Sequence, residues 1–544
     1  MAATGTAIGR ALAAALLLLP VVAAAQDSGD WRMRGQTTSR VEYYDIDGDS
    51  LLGPYGRDGV QAYQSLHLGL SRQADSGALW DLEFAGVLSA SEYRTTEPGG
   101  HVEYLRLRRE DPAAAVPYRL DVGDQHARFS RLSLDQDLRG VRGEIQPALG
   151  GLDHSLVWVS GAYRRHWHDV DARLDPGLLE PEADYHGVSW LVADPALGEW
   201  SLNTVHHDRT AGADGGDRHL VTSLAAALDI RFLHQRLDTD LEWAHLQGTT
   251  RRGSGGAGER AVADTGLFAQ VDGSNTALEM PLDYRLRYED YGAGFRPAGT
   301  DVVGDRRAFV TTAGVGSEER ARLQGRYQRH VDHASGPNPV HLVEHGVEAV
   351  VPFGLGPVHT RHELDAAHRE RRDERGWIDE HTRRLSWDMI LPLAETRETR
   401  LTLYWRNLDD RATGRYGHRE RRISLSHRTR FRLGGVQITA TPGLAYRTRD
   451  GFLAQRAIDP TLSLEAAGAL QELDVSLGYH ELERPGRRAR SIDEYRLAMD
   501  WHYRLRRHQL GLEYEHHLAA PSAGEDLELW KAGVFWRYQF AGSL

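Results

Sequence analysis

The stretch Asp526-Leu-Glu-Leu-Trp-Lys-Ala-Gly-Val-Phe-Trp-Arg-Tyr-Gln-Phe540 decides the fold. From Trp530 every second residue is apolar: Trp530, Ala532, Val534, Trp536, Tyr538 and Phe540. The alternate positions include Lys531, Gly533, Arg537 and Gln539. A repeat of two puts successive side chains on opposite faces of an extended strand. One face of this strand is therefore apolar and the other polar.

The same pattern recurs upstream. Tyr495, Leu497, Met499, Trp501, Tyr503 and Leu505 oppose Glu494, Arg496, Asp500, His502 and Arg504. Leu510, Leu512, Tyr514 and Leu518 oppose Gln509, Glu513, Glu515 and His517. Leu278, Met280, Leu282, Tyr284, Leu286 and Tyr288 oppose Glu279, Asp283, Arg285 and Arg287. Shorter examples are Leu473 to Tyr479, Val436 to Tyr446, Leu385 to Leu391 and Trp80 to Leu88. Many of these runs reach about ten residues, the length a tilted strand needs to cross hydrocarbon. Strands of soluble proteins average about five or six.

The connections alternate in length. Short ones fall at Ala74–Gly77, Pro147–Leu152, Asp272–Asn275, Ser317–Glu319, Glu395–Thr399, Gly434–Gly435 and Arg506–Arg507. Long ones fall at Asp45–Gly59, Arg164–Ala183, Gln247–Arg260, Tyr291–Asp305, Asn407–Arg421 and Leu482–Ser491. The expectation is an all-β fold: a single large antiparallel transmembrane β-barrel of about 26 strands, within a range of about 22–26, with short periplasmic turns and long extracellular loops. A propeller or solenoid is disfavoured because no fixed internal repeat is visible.

At the N-terminus, Arg10 precedes an apolar run from Ala11 to Ala25 that ends in Ala23-Ala24-Ala25. The run is too short to span a bilayer and has the form of a secretory signal peptide, residues 1–25. A short periplasmic segment, 26–30, the barrel, 31–540, and a C-terminal tail, 541–544, complete the expected plan. No cysteine follows the run, which excludes a lipoprotein anchor.

The chain has 544 residues, 0 cysteines and a formal net charge of −13. Without cysteine it has no disulfide framework, no thiolate metal site and no covalent haem attachment of its own. The acidic balance argues against a nucleic-acid partner. The mean hydropathy of −0.51 excludes a helical membrane protein but not a barrel, whose lumen and loops are polar.

The closing strand, with Val534, Trp536, Tyr538 and Phe540 at alternate positions, resembles that of Gram-negative outer-membrane β-barrel proteins of the large porin and export-conduit type. Ala541-Gly-Ser-Leu544 departs from that pattern, because four residues follow the aromatic. The resemblance implies a location in the outer membrane, contact with lipid and lipopolysaccharide, and insertion by the barrel assembly machinery. Trp530, Val534, Trp536, Tyr538 and Phe540 would face lipid. Glu494, Arg496, Asp500, His502, Arg504, Asp283, Arg285 and Arg287 would line the lumen. The segment Val122–Leu134 with Leu138–Gly143 is similar to strand–loop–strand segments of large porins. Gly140 and Gly143 would allow a kink or a close backbone approach in a strand, and a plain loop is the simpler reading.

Two motifs suggest metal. Asp45-Ile-Asp47-Gly-Asp49 carries alternate carboxylates, but an EF-hand needs Gly and Glu where Ser50 and Gly56 stand. His166-Trp-His168-Asp169 offers two imidazoles and a carboxylate in an expected external loop, and lacks further ligands. A solvated acidic loop and a wet histidine lining explain both more simply. No nucleophile elbow, zincin or P-loop pattern is present, so no catalytic residue and no cofactor is expected.

About 26 strands enclose a wide hole. No separate plug domain is evident, so inward-folded loops or a partner must fill it. The expected role is a pore or conduit: an export channel, or a sheath for a lumen partner such as a periplasmic cytochrome or an export protein. Barrels of lipopolysaccharide insertion, fimbrial ushers and porin–cytochrome electron conduits are similar in strand number. The alternative is a self-plugged surface receptor or adhesin scaffold, and a membrane-embedded hydrolase ranks behind both.

Overall fold

The computed structural model describes residues 31–95, 98–163, 183–212, 215–232, 235–251, 259–275, 280–355, 358–451, 454–484, 490–522 and 524–543. The proposed signal peptide, His166 and His168 lie outside them. Consecutive strands pair antiparallel, and the first strand, Trp31–Gly48, pairs with the last, Leu527–Ser543. That seam runs over 17 residue pairs, from Arg32 against Ser543 to Gly48 against Leu527. The sheet thereby closes into a barrel of 26 strands, and the two-residue strand Ala148–Leu149 only extends the hairpin before Leu152. The main strands are 10 to 18 residues long. Among the described residues the only helix is a 3-10 turn, Ser50–Leu52.

Closure makes every strand two-faced in the same sense. One set of side chains is large, apolar and exposed, as with Leu224 at 54 %, Trp243 at 49 %, Leu444 at 53 %, Leu512 at 42 % and Val534 at 53 %. The set recurs around the whole circumference. Soluble proteins rarely expose apolar patches beyond a few hundred Å². From Trp530 to Phe540, at about 3.3 Å per residue and a tilt of about 40°, the apolar stripe rises about 25 Å, the height of a hydrocarbon core. This exposed set is the outer face, and its alternate is the lumen face.

Several boundaries differ from the sequence reading. The apolar alternation stops where the hydrocarbon would stop, but the hydrogen-bonded ladder continues beyond it. Asp45 and Asp47 therefore stand in the first strand, not in a loop, and the connection Asn407–Arg421 shrinks to residues 411–417. Ala541, Gly542 and Ser543 pair with Arg34, Met33 and Arg32, so they belong to the barrel rather than to a tail. At the other extreme, the strand expected from Leu278 begins at Leu282; Met280 precedes it, and Leu278 and Glu279 lie outside the described residues. Asp272–Asn275, expected as a turn, completes the strand Glu259–Asn275. The alternation of loop lengths is not strict, because Gly212 pairs with Gly215 at the end where long loops were expected.

Gly140 and Gly143 lie in a regular strand, Leu134–Ile145, rather than in a loop. A Cβ on Gly143 would fall 1.7 Å from the Trp158 indole, and one on Gly140 would fall 2.0 Å from the Ser160 carbonyl oxygen. Only glycine admits these close approaches.

The one lysine of the chain marks the seam. Lys531 Nζ lies 3.4 Å from Glu42 and 3.5 Å from Glu513 on the lumen face, and Arg40 bonds both carboxylates. These charges come from the first strand and the last two. They favour the closing register, because a slip of the first strand by one residue would send Arg40 and Glu42 to the lipid side.

Candidate functional site

The lumen wall is built by the residues between the apolar ones. Glu494, Arg496, Asp500, His502 and Arg504 alternate with outward Tyr495 and Leu505 on the strand Arg490–Leu505. Arg504 donates to Glu472 at 2.7 Å, and Asp500 stands directly across from Asp474. His502 meets the inward ring of Phe535 edge-on at 5.3 Å. With Arg40, His67, Gln509, Glu513 and Arg537 it lines a polar recess of about 340 Å³. On the strand Leu282–Tyr291, Asp283 pairs with Arg322 at 3.0 Å, Arg285 with Asp272 at 2.5 Å, and Arg287 with buried Glu289 at 2.6 Å. Arg504, Asp283 and Arg285 are thus neutralised across strands and Arg287 within its own strand, while Asp500 faces a like charge.

The outward residues of the last strand form an aromatic stripe. Trp530 lies 4.4 Å from the His516 ring, and His508 sits against Trp536 and Tyr538 at 5.9 and 4.8 Å. Val534 lies between these ends, paired with Val41 and Leu512. Phe540 covers Gly35, where a Cβ would fall 2.4 Å from the ring. Such rings over cross-strand glycines fill the gap a missing side chain leaves.

Two features of the interior escaped the sequence reading. The first is a pair of segments folded inward at the end opposite the termini. Leu132, between the strands Tyr118–Ser130 and Leu134–Ile145, is fully buried among Val221, Ala244, Leu246, Phe268 and Phe295. Phe295 comes from the connection 292–305 and docks on Gly266, where any Cβ would fall 2.5 Å from its ring. Glu242, 4 % exposed, accepts hydrogen bonds from Ser130 Oγ at 2.6 Å and from the Leu132 amide at 3.1 Å. Ser130 continues through Ser223 to Asn203, which accepts from Ser189 at 2.7 Å. The Asp135 amide donates to Gly299 at 2.7 Å, joining the two inward segments. The contacts of Glu242 with Ser130 and the Leu132 amide latch this segment to the wall. A signal existed: strands here are apolar on the lumen face as well, as at Leu246 and Phe268.

The second feature is an arginine wall. Arg384 stands directly across from Arg406, and Arg422 directly across from Arg447, all on the lumen face. Arg384 is held by Asp365 at 2.8 Å. Glu420 stands directly across from Arg406 on its other side, but Arg406, Arg422 and Arg447 have no carboxylate within ion-pair distance among the described residues. Glu344, Arg369, Thr382, Arg384, Tyr404 and Arg406 surround a recess of about 230 Å³. Sequence showed each arginine but not its partner, because partnership depends on strand register.

The metal candidates fare differently. Asp45 and Asp47 lie on the outer face where the first strand pairs with the last, and among the described residues no ligand cluster gathers them with Asp49. Among the described residues one group has ligand spacing, His368, Glu370 and His381.

No known protein family's profile matches the chain, and no curated protein matches it. Similar solved structures include the outer membrane protein OpdK of Pseudomonas aeruginosa, at 13 % identity over 62 % of this chain and 94 % of that one, TM-score 0.33. Another is the siderophore receptor PirA of Pseudomonas aeruginosa, at 8 % identity over 94 % and 80 %, TM-score 0.42. A third is OccAB2 of Acinetobacter baumannii, at 12 % identity over 63 % and 92 %, TM-score 0.31. With these scores, the fold of the present chain rests on its own strand pairing.

Proposed function

We propose that the chain is an outer-membrane conduit for anionic cargo, which moves along the arginine wall of a lumen narrowed by the inward segments. The observation that carries this reading is the pairing of Arg384 with Arg406 and of Arg422 with Arg447. Like charges directly opposite on a sheet cost roughly 0.2–1 kcal/mol per pair, and a hydrated wall without a task would alternate signs. Elsewhere on the lumen face arginines such as Arg322 and Arg285 are held by carboxylates, Asp283 and Asp272, and directly opposed like charges include carboxylates, as Asp474 with Asp500. The outer face would contact lipid and lipopolysaccharide, and the closing strand would be the one the assembly machinery reads.

Ion selectivity in planar bilayers tests the proposal. At about 0.1 M salt, charge effects reach only about 10 Å, so the measurement belongs at that strength or below. The reversal potential should show anion preference. Arg406→Glu with Arg422→Glu should shift it toward cations, while Glu494→Gln should leave it nearly unchanged. A cation-selective parent, or no shift in the double variant, contradicts the proposal.

The inward segments favour a second reading, a self-plugged receptor scaffold. The first loop supports it too: Tyr55 packs on inward Tyr44 at 4.8 Å, and Tyr93 from the next loop packs on both rings. A barrel that stays closed to ions under all these conditions fits that scaffold and excludes the conduit.

A further inference from the structure

The outer face carries a group that the conduit does not use. Glu370, at the end of the strand Val358–Asp373, pairs directly with His381 of the strand Asp379–Ala394. His368 lies two residues before Glu370 and therefore on the same face. This face also bears outward Leu364 and Leu385, so the group sits where the apolar stripe gives way to polar residues, beside the turn 374–378.

The geometry is that of a ligand set. His368 Nε2 lies 3.0 Å from Glu370 Oε1, and His381 Nδ1 lies 3.6 Å from the same oxygen. All three ligand atoms fall within 4.8 Å of one another. Metal–ligand bonds of about 2.0–2.2 Å place tetrahedral neighbours about 3.4 Å apart, which matches these edges. His381 Nε2 is engaged by Asp379 at 3.1 Å. A carboxylate on the far ring nitrogen fixes the tautomer of a metal-bound histidine and leaves the other nitrogen free to coordinate. His368 Nδ1 is shut off from water and has no hydrogen-bond partner, so hydrogen bonding alone does not complete the group.

We propose that His368, Glu370 and His381 form a surface site for a divalent transition-metal ion, Zn²⁺ or Cu²⁺, with Asp379 as the residue that orients His381. Two imidazoles and one carboxylate select such ions over Ca²⁺ and Mg²⁺, which take oxygen ligands. Three protein ligands leave one position for water or an exogenous oxygen. Arg372 and Arg383 share the face and oppose cation binding. His345, across from His368 on its other side, packs on Tyr327 at 5.1 Å and stands outside the set.

Copper titration of the full-length barrel in detergent, followed by electron paramagnetic resonance, tests the site. One Cu²⁺ per chain should bind tightly, show coupling to two nitrogens and be displaced by Zn²⁺. His381→Gln and His368→Ala should abolish that signal. Asp379→Asn should weaken binding by about 10–100-fold, the usual effect of losing such an outer partner. His508→Ala, on the outer face at the opposite end of the barrel, should change nothing. A parent without the two-nitrogen signal overturns the proposal whatever the variants do, and so does a signal that survives both histidine substitutions.

Discussion

Replacing Leu512 by arginine will cost about 2–4 kcal/mol of folding stability in lipid vesicles, because a guanidinium near the bilayer midplane has neither water nor a partner. Leu512 pairs with Val534, and both are exposed on the outer face midway along the stripe from Trp530 to Tyr538. Leu497, paired with Leu477, should behave the same way. Gln509→Arg places the same charge on the lumen face of the same strand, beside the recess lined by Glu513 and Arg537. There water solvates it, and the like charges of Arg504 and Arg537 directly across cost roughly 0.2–1 kcal/mol each, which stays below the cost on the lipid face. Denaturant titration in vesicles reads both. Equal costs on the two faces would reverse the facing assignment.

Leu132→Asp will open the lumen. Leu132 is fully buried in apolar surroundings, and the Glu242 carboxylate already accepts its amide hydrogen. A second carboxylate there would lie beside Glu242 in an apolar cluster, and burying a charge without a bonded partner costs several kcal/mol. The segment can avoid that cost by leaving the wall for the aqueous lumen. The cost therefore appears as a change in position rather than as unfolding of the barrel. Single-channel conductance should step up, and the peptide bond after Arg131 should become open to trypsin. Gly266→Leu should give the same result by another route, since its side chain would occupy the place of Phe295. Unchanged conductance in both variants would mean that these segments do not restrict the path.

How much of this was legible in the sequence follows from what each feature depends on. Period-two alternation at Leu497 or Val534 is local, so strand identity, facing and the closed antiparallel plan could be read directly. Strand ends such as Asp45–Gly48 could not, because outside the apolar stripe both faces are polar and the ladder leaves no pattern. The latch of Ser130 and Leu132 on Glu242 joins residues 110 or more apart, and nothing in either segment names the other. Arg406 and Arg422 look like any lumen arginine until register shows which residue stands opposite. The same holds for Glu370 and His381, adjacent only across two strands. In each case the one-strand pattern was legible and the two-strand contact was not.

Whether acyl chains cover the outer face is read out by the 13 tryptophans. Trp158, Trp190, Trp200, Trp243 and Trp530 are exposed on that face. Fluorescence of the chain refolded into vesicles of acyl-brominated phospholipid should be strongly quenched, while a water-borne quencher should have little effect. Emission indifferent to the brominated lipid, from a chain that stays dispersed without detergent or vesicles, would mean that water rather than lipid meets the outer face.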